Sequence, residues 1–218
     1  MTDICTPLPL AVLISGNGTN LQAIIDAQQR GELGIEIRAV ISNRANAFGL
    51  ERARRAGIAT AVVDHTQFAN RAEFDRALRT TITASGAHLV ILAGFMRILT
   101  PDFVQHFAGR LLNIHPSLLP KHQGLRTHAA ALAAQDAEHG ASVHFVTADL
   151  DGGPVIAQAR VPVLAHDTPA TLAERVRVQE HRIYPLVIGW YASGRLSLEN
   201  GHVWLDQQRL TVPRLVNS

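Results

Sequence analysis

The fold class is decided by residues 10–31, which read LAVLISGNGTNLQAIIDAQQRG. The apolar run Leu10–Ile14 predicts a buried strand, and the amphipathic segment Leu21–Arg30 predicts a helix that ends at Gly31. Between them lies a polar glycine loop, residues 15–20. A strand, a glycine loop and a helix in this order typically begin a parallel α/β sheet, and the helix N-terminus beside such a loop suits a bound anion. We therefore expect a phosphate site here, although a plain tight turn explains the same glycines.

The alternation of strand and helix continues toward the middle of the chain. Strands are predicted at Ile35–Ile41, Ala59–Val63 and His88–Ala93, and helices at Ala47–Ala56 and Phe68–Ala84. Helices between successive strands are typical of right-handed crossovers in a parallel sheet. The fold class that we predict is therefore α/β, with a mostly parallel sheet flanked by helices. Three arginines in the second of these helices are most simply read as its solvated face: Arg52, Arg54 and Arg55.

The second half of the chain predicts a different strand arrangement. A strand at Leu111–Ile114 is followed by a loop over residues 116–127 and a helix at about His128–Gln135. Beyond them we expect two strands of an antiparallel extension, a long helix kinked by a proline and a small hairpin: Ala141–Val146, Val155–Val163, Pro169–Tyr191 with Pro185, and Leu196–Leu210 around Asn200 and Gly201. The sequence contains no segment typical of a linker, so we expect one domain over residues 1–218. It would consist of an N-terminal half, about residues 8–108, and a C-terminal half, about residues 109–210.

Composition excludes several classes of protein. Hydrophobic residues make up 47% of the 218 residues and charged ones 17%, which is typical of a globular chain and excludes disorder. A single cysteine cannot form an internal disulfide, which favours a reducing, cytoplasmic location. No stretch reaches the ~20 apolar residues that span a bilayer. A net charge of +2 is too small to indicate nucleic acid. We therefore expect neither a membrane nor a nucleic-acid partner.

The first loop also raises the possibility of dinucleotide binding, which the sequence does not favour. The dinucleotide fingerprint needs a third glycine, and Leu21 stands at that position. The second predicted strand ends at Ser42 and Asn43, with no acid to bind a ribose. We therefore expect no nicotinamide cofactor.

Asn113 and His115 stand at and just beyond the end of a predicted strand. Residues spaced by two project from the same face of an extended chain, so the two side chains can act on one substrate atom. Asn113 would be a neutral donor, and His115 a proton carrier or electrophile. The alternative is a histidine that merely forms a hydrogen bond at the rim of the sheet.

The segment from Asp149 to Pro154 reads DLDGGP and predicts a turn, which by itself explains the acids and glycines. Two carboxylates in such a loop could instead place one acid against His115. The sequence leaves these two readings about even. It contains no zinc-type or calcium-type ligand spacing, so we expect catalysis without a metal.

Four segments together carry a resemblance that is too specific to ignore. They are residues 14–21 (ISGNGTNL), 92–99 (LAGFMRIL), 112–120 (LNIHPSLLP) and 149–154 (DLDGGP). With them the chain resembles the phosphoribosylglycinamide formyltransferases, folate-dependent enzymes of purine synthesis, from Leu10 to about Leu210. The resemblance implies a Rossmann-like formyltransferase fold. Related formyltransferases that act on methionyl-tRNA, and formyl folate deformylases, carry a further domain for which 218 residues leave no room.

The resemblance also implies a reaction and a set of site residues. The formyl group of 10-formyltetrahydrofolate, the co-substrate, would pass to the amine of glycinamide ribonucleotide (GAR). Catalysis would fall to Asn113, His115 and Asp151. Residues expected to bind GAR are Gly18, Thr19, Asn20, Gly94, Pro116 and Glu180. Residues expected to surround the folate are Arg71, Met96, Arg97, Ile98, Leu99, Asn113, His144, Thr147, Ala148 and Asp151. The expected assembly is a monomer or a homodimer.

One segment departs from the family pattern. Family members commonly read aromatic-Pro-Gly-Leu-His after the catalytic strand, whereas residues 122–126 here read HQGLR. Two alternative functions also stay open at this point. Hydrolysis of formyl folate would use the same catalytic residues, but water needs no phosphate anchor. A non-catalytic nucleotide-binding module would leave Asn113, His115 and Asp151 unexplained.

Overall fold

A computed structural model of the protein describes residues 6–216; residues 1–5, including Cys5, and 217–218 lie outside the description. Six helices are present in this part of the chain: α1 (Thr19–Gln29), α2 (Phe48–Arg55), α3 (Arg71–Ala84), α4 (Pro101–His106), α5 (Thr127–Ala133) and α6 (Pro169–Ala192). A 3-10 turn spans His65–Gln67. Within residues 6–216, no helix is both long and apolar enough to cross a membrane.

Eight strands form the central sheet, in the order β11-β7-β6-β5-β4-β1-β2-β3. They are β1 (Leu8–Ile14), β2 (Ile35–Ser42), β3 (Thr60–Val62), β4 (Leu89–Leu92), β5 (Leu111–His115), β6 (Glu138–Phe145), β7 (Val155–Pro162) and β11 (Arg214–Leu215). Strands β3, β2, β1, β4 and β5 run parallel, while β6 pairs antiparallel with both β5 and β7. The predicted fold class, a mostly parallel α/β sheet with an antiparallel C-terminal extension, is confirmed.

Apolar side chains cover both faces of this sheet. On one face α1, α2 and α6 pack against β1, β2 and β6, and on the other α3 and α4 pack through residues such as Phe74 and Phe103. The burial of β4 is complete along its length, which explains its continuous apolar sequence. The hydroxyl of Tyr184 in α6 lies 2.9 Å from the carbonyl oxygen of Leu92 and 3.1 Å from that of Leu112. This buried contact fixes α6 against the last residue of β4 and the second residue of β5.

The hairpin predicted around Asn200 and Gly201 is present. Strands β8 (Leu196–Glu199) and β9 (His202–Leu205) pair antiparallel, and Asn200 and Gly201 both have positive φ, at 51° and 78°. Two central residues of positive φ match the twist of a two-residue hairpin, which is why Asn-Gly predicts one. A third strand, β10 (Gln208–Arg209), extends this hairpin and was not predicted.

Several boundaries differ from the sequence prediction. Helix α3 begins at Arg71 instead of Phe68, because Asn70 caps it by accepting a hydrogen bond from the Glu73 N–H. Helix α4 was missed, although Thr100 caps it and Pro101 occupies its first turn. Helix α6 is one continuous helix with Pro185 inside it.

Candidate active site

The site lies at the carboxyl ends of β1, β4 and β5, where the strand order changes direction. The chain adds β2 and β3 on one side of β1 and then returns to add β4 on the other. Such a switch point opens a crevice in which α/β proteins bind their ligands. The loops after β1 and β4 are joined there by Ser15, whose Oγ lies 2.5 Å from Asn43 Oδ1 and accepts a hydrogen bond from the Met96 N–H at 2.8 Å.

Asn113 and His115 occupy the last part of β5, on the same face of the strand. His115 is only 5% exposed. Its Nδ1 lies 3.4 Å from Asp151 Oδ2, and both side chains are largely buried. This is the contact that the hypothesis of an acid at His115 requires. A merely turn-forming Asp151 would not need to point at the histidine.

The turn after β6 explains how Asp151 reaches this position. Asp151 has φ 49°, a left-handed conformation that Asp adopts more readily than most residues. A Cβ atom at Gly153 would stand 1.8 Å from the carbonyl oxygen of Phe145, so only glycine allows the chain to fold back so closely. The sequence DLDGGP therefore forms the turn that its residues predict, and it also places the carboxylate of Asp151 beside His115.

His144 lies beside Asn113 on the neighbouring strand. The two residues are register partners of β5 and β6, and Asn113 Nδ2 lies 3.1 Å from His144 Nε2. His144 is 2% exposed, and burial lowers the pKa of its imidazole despite the opposing effect of Asp151, whose Oδ1 is 3.8 Å away. A buried neutral ring at this distance forms no ion pair with Asp151. A folate contact of His144, which the resemblance implies, stays a prediction.

The loop after β5 closes over the His115 and Asp151 pair. Nε2 of His115 lies 2.9 Å from the backbone oxygen of His122, and the Gly124 N–H donates to Asp151 Oδ2 at 3.0 Å. Gln123 Nε2 donates to the backbone oxygen of Asp151. Sequence reasoning missed these contacts because they use mostly backbone atoms of an irregular loop, for which no residue pattern exists.

The same loop is held from its other side by one carboxylate. Asp136 Oδ2 lies 2.7 Å from His122 Nε2, and Asp136 Oδ1 accepts from Lys121 Nζ at 2.7 Å. These two hydrogen bonds lower the pKa of Asp136. The segment that departs from the family pattern is therefore anchored through its own histidine.

The first glycine loop ends in an open helix N-terminus. Gly18 precedes α1 with φ 74°, and no side chain caps the helix there. A Cβ atom on Gly18 would stand 2.8 Å from Cα of Gly49, so close packing against α2 explains this glycine. Arg52 supports the loop by donating from Nε and Nη2 to the backbone and side-chain oxygens of Asn17, both at 2.8 Å. Arg52 is half-exposed, as expected for the solvated face of its helix, and in addition it holds the first loop.

Asn20 and Glu180 are both expected to bind GAR, and although they lie far apart in the sequence they are in contact in the structure. Asn20 Nδ2 donates to Glu180 Oε2 at 3.1 Å. Burial raises the pKa of the Glu180 carboxyl, partly offset by this hydrogen bond. The other amide atom, Asn20 Oδ1, is buried without a hydrogen-bond partner among the described residues. An orphaned buried acceptor costs free energy unless a ligand or water donates to it.

The remaining predicted residues lie on loops at the same edge of the sheet. Gly94 and Pro116 follow β4 and β5, and both are half-buried. In the segment after Gly94, Met96 and Ile98 are exposed and Leu99 is buried. Two exposed apolar side chains in one loop at this edge suit contact with an apolar part of a ligand.

Arg71 begins α3, and Arg97 contacts the same helix. The guanidinium of Arg97 lies 5.9 Å from the ring centroid of Phe74. Phe74 lies in α3 one helical turn after Arg71, which is exposed. Arg97 Nε is buried without a partner among the described residues.

Thr147 and Ala148 lie in the turn that leads to Asp151, with Thr147 half-buried and Ala148 exposed. In residues 6–216, no group of three or more His, Cys, Asp or Glu side chains is arranged to hold a metal ion.

Comparison with known proteins gives consistent relatives. A family model described as formyl transferase matches residues 8–188. The chain is 59% identical over 201 residues to the phosphoribosylglycinamide formyltransferase of Escherichia coli (strain K12), covering 92% of this chain and 95% of that protein. It is 49% identical to the Haemophilus influenzae protein of the same name, again covering 92% of this chain and 95% of that one.

A solved structure and a larger relative agree with these matches. The phosphoribosylglycinamide formyltransferase from Coxiella burnetii superposes with a TM-score of 0.93 at 56% identity, covering 96% of this chain and 99% of that one. The human trifunctional purine biosynthetic protein adenosine-3 is 47% identical over 201 residues, which cover 91% of this chain and 20% of that protein.

Proposed function

The chain belongs to the formyl transferase family, and from this membership we propose that Asn113, His115 and Asp151 carry its reaction. The reaction is the transfer of the formyl group of 10-formyltetrahydrofolate to the amine of GAR, which gives formyl-GAR and tetrahydrofolate in purine biosynthesis. Neither formyl folate hydrolysis nor a non-catalytic nucleotide-binding role is favoured by relatives at this level of identity. The observation that carries the proposal is the contact of 3.4 Å between His115 Nδ1 and Asp151 Oδ2, beside Asn113.

The chemistry needs donors for an oxyanion. When the neutral amine of GAR attacks the formyl carbon, the carbonyl oxygen becomes negatively charged in a tetrahedral intermediate. A preorganised donor aimed at that oxygen lowers the barrier by ~3–4 kcal/mol. Asn113 donates from its amide, and His115 donates from its imidazole. Because no covalent enzyme intermediate is needed, the site does not require an activated serine or cysteine.

Asp151 orients His115 and takes part in proton transfer. Asp151 Oδ2 faces His115 Nδ1 at 3.4 Å, which holds the imidazole in one orientation. As the intermediate collapses, the proton that the amine loses has to reach the leaving nitrogen of the folate. Asp151 carries this proton, directly or through a water molecule.

GAR is proposed to bind between the first loop and α6. The uncapped N-terminus of α1 at Gly18, Thr19 and Asn20 offers backbone N–H groups to the phosphate. The orphaned Asn20 Oδ1 accepts from a hydroxyl or amine of the substrate, and Glu180 binds its ribose or glycinamide end. Gly94 and Pro116 complete the wall on the side of β4 and β5.

Formyl folate is proposed to bind across the loops after β4 and β6. Met96 and Ile98 offer exposed apolar side chains to its rings, with the buried Leu99 next in the same segment, and Thr147 and Ala148 offer polar backbone groups beside Asp151. Arg71 and Arg97 supply positive charge for the carboxylates of the folate. We propose no metal and no nicotinamide in this reaction.

The wider setting is proposed in the same way. One formyltransferase domain spans residues 1–218, which is supported by a single sheet that contains strands from both halves of the chain. The protein is proposed to be cytoplasmic, a monomer or a homodimer, without nucleic-acid or membrane partners.

One experiment separates the three candidate functions. The protein is incubated with 10-formyltetrahydrofolate, with and without GAR, and loss of the formyl group is followed. We expect loss only when GAR is present, with formyl-GAR as the product. Loss without GAR would indicate hydrolysis, and no loss in either case would indicate a binding module. Either of these results overturns the proposal.

A further inference from the structure

Asn113 is held by a chain of two hydrogen bonds, one buried and one partly buried, that the reaction as described does not use. His144 Nδ1 lies 2.9 Å from the backbone oxygen of Phe145, and His144 Nε2 lies 3.1 Å from Asn113 Nδ2. With an exposure of 2%, His144 offers almost no surface to a ligand. The side chain is therefore placed to act on Asn113.

The first contact determines which nitrogen of His144 carries its hydrogen. A backbone carbonyl can only accept a hydrogen bond, so Nδ1 must be the protonated nitrogen. In a neutral imidazole the other nitrogen, Nε2, then carries a lone pair and can only accept. Burial lowers the pKa of His144, which keeps the ring neutral.

The second contact then determines the orientation of the Asn113 amide. An accepting Nε2 requires a donor, so the amide must turn Nδ2 toward His144. The flipped amide would set Oδ1 against the lone pair, which is repulsive. One N–H of Nδ2 is used by His144, and the second is the donor that Asn113 can offer to the oxyanion.

The same neutral ring leaves Asp151 available to His115. Asp151 Oδ1 lies 3.8 Å from His144 Nε2, while its Oδ2 lies 3.4 Å from His115 Nδ1. A charged His144 would compete for the carboxylate with the histidine proposed to donate in catalysis. A neutral His144 thus supports both Asn113, whose amide it orients, and His115, for which it leaves Asp151 available.

We propose that His144 is a positioning residue, which sets the Asn113 amide with its N–H toward the forming oxyanion instead of contacting the folate. This inference rests on the proposed function, since it assumes the roles of Asn113 and His115. It differs from a folate contact in what it predicts. Loss of a positioning residue lowers kcat, whereas loss of a folate contact raises KM for the folate.

The test is a double-mutant cycle with Asn113→Ala. We expect His144→Leu to lower kcat by about tenfold to a hundredfold, because it removes the acceptor that orients one oxyanion donor, with KM for formyl folate changed less than about twofold. In the Asn113→Ala background, His144→Leu should have almost no further effect on kcat. His144→Gln, whose Oε1 can accept from Asn113, should restore part of the rate.

A matched control comes from the same strand. His139 is also in β6 and is 1% exposed, and it lies 3.1 Å from His128 rather than from Asn113. His139→Leu should reduce stability, and its effect on kcat should be the same with and without Asn113. If the effects of His144→Leu and Asn113→Ala multiply in the double variant, or if His144→Leu raises KM for the folate at unchanged kcat, the proposal is overturned.

A spectroscopic readout tests the geometry independently of activity. Nitrogen NMR of the histidine rings, with His144 assigned from the His144→Leu spectrum, should show a neutral ring protonated at Nδ1 at pH 7. A charged ring, or one protonated at Nε2, would overturn the inference even in a fully active enzyme. If the protein fails to transfer the formyl group but His144 shows the expected tautomer, the proposed function fails and the orientation of Asn113 stands.

Discussion

The Nε2 atom of His115 lies 2.9 Å from the backbone carbonyl oxygen of His122. On its other side, Nδ1 of the same ring faces Asp151 Oδ2 at 3.4 Å. Both ring nitrogens therefore face acceptors, a setting that suits an imidazolium, which donates from both. The carbonyl of His122 also occupies the direction in which His115 would donate to a substrate. An oxyanion must share this donor with the carbonyl or replace it, so loop 121–124 takes part in the access of substrate to His115.

Replacing His115 tests its role as donor. We expect His115→Ala to lower kcat by about a hundredfold or more, because it removes an electrophilic donor to the oxyanion. His115 is nearly buried beneath the loop, so the variant should also lose some stability, and its folded fraction has to be measured by urea unfolding. His202→Ala, at an exposed position in the β8–β9 hairpin, serves as a control and should remain fully active. Turnover close to that of the unaltered protein would remove His115 from the mechanism.

Replacing Asp151 separates chemistry from binding. In Asp151→Asn the residue keeps its shape and still tolerates φ 49°, but it loses the charge beside His115. We expect a large fall in the rate of the chemical step, with the dissociation constant of GAR little changed, because the carboxylate contacts His115 and loop 121–124. Asp149→Asn, an exposed carboxylate in the same turn, is the control. Weakened GAR binding that equals the loss of rate would contradict this division.

The sequence predicted the first unit of the fold and the C-terminal hairpin because local patterns specify both. The run Leu10–Ile14, the loop and the helix that follows are one contiguous signal, and Asn200 with Gly201 encode their own turn. Strand β11 could not be predicted in this way. Its two residues pair with β7, and the partner Ala157 lies far away along the chain. A strand of this length exists only because β7 offers an edge.

In the candidate site, the residues with reactive side chains could be predicted from the sequence. The residues that hold the loops of the site in place could not. Asn113, His115 and Asp151 carry reactive groups at strand ends and in a glycine turn, which single them out in the sequence. Arg52 does not, because an arginine on an amphipathic helix usually faces solvent. Its hydrogen bonds to Asn17 depend on how α2 packs against the first loop, which no local pattern records.

Buried histidines make the fold sensitive to mild acid. Burial lowers the pKa of His139 from 6.5 to about 4. The unfolded chain therefore binds a proton more readily than the folded one, and stability falls as pH decreases from about 6.5 to about 4. The burial of His128 and His181 lowers their pKa values as well, which adds to the slope.

The slope can be assigned to His139 by replacing it with a residue that does not titrate. We expect the free energy of unfolding to drop by about 1–3 kcal/mol over this range from His139 alone. In His139→Asn the pH dependence should become shallower, while the stability at pH 7 is lower than that of the unaltered protein. His166→Asn, in an exposed turn, should leave the slope unchanged. An equal slope in all three proteins would mean that other groups govern acid unfolding.

The last prediction concerns the phosphate of GAR and the loop before α1. Gly18 and Gly31 stand at opposite ends of α1 with the same φ of 74°, so alanine strains the backbone equally at both. Only Gly18 has a neighbour in the way, since its Cβ would meet Gly49 Cα at 2.8 Å, whereas Gly31 faces open space. Gly18→Ala should therefore be the less stable variant and should also disturb the N–H groups proposed to hold the phosphate.

The measurement compares three ligands on three proteins: GAR, its dephosphorylated nucleoside and a folate analogue, on the unaltered chain, Gly18→Ala and Gly31→Ala. Under conditions in which each variant is folded, the unaltered chain and Gly31→Ala should strongly prefer the phosphorylated ligand. Gly18→Ala should lose most of that preference while it still binds the folate analogue, because the helix N-terminus acts on the phosphate alone. If all three proteins prefer the phosphorylated ligand equally, the phosphate binds elsewhere, and the proposed positions of Thr19 and Asn20 in the GAR site are wrong.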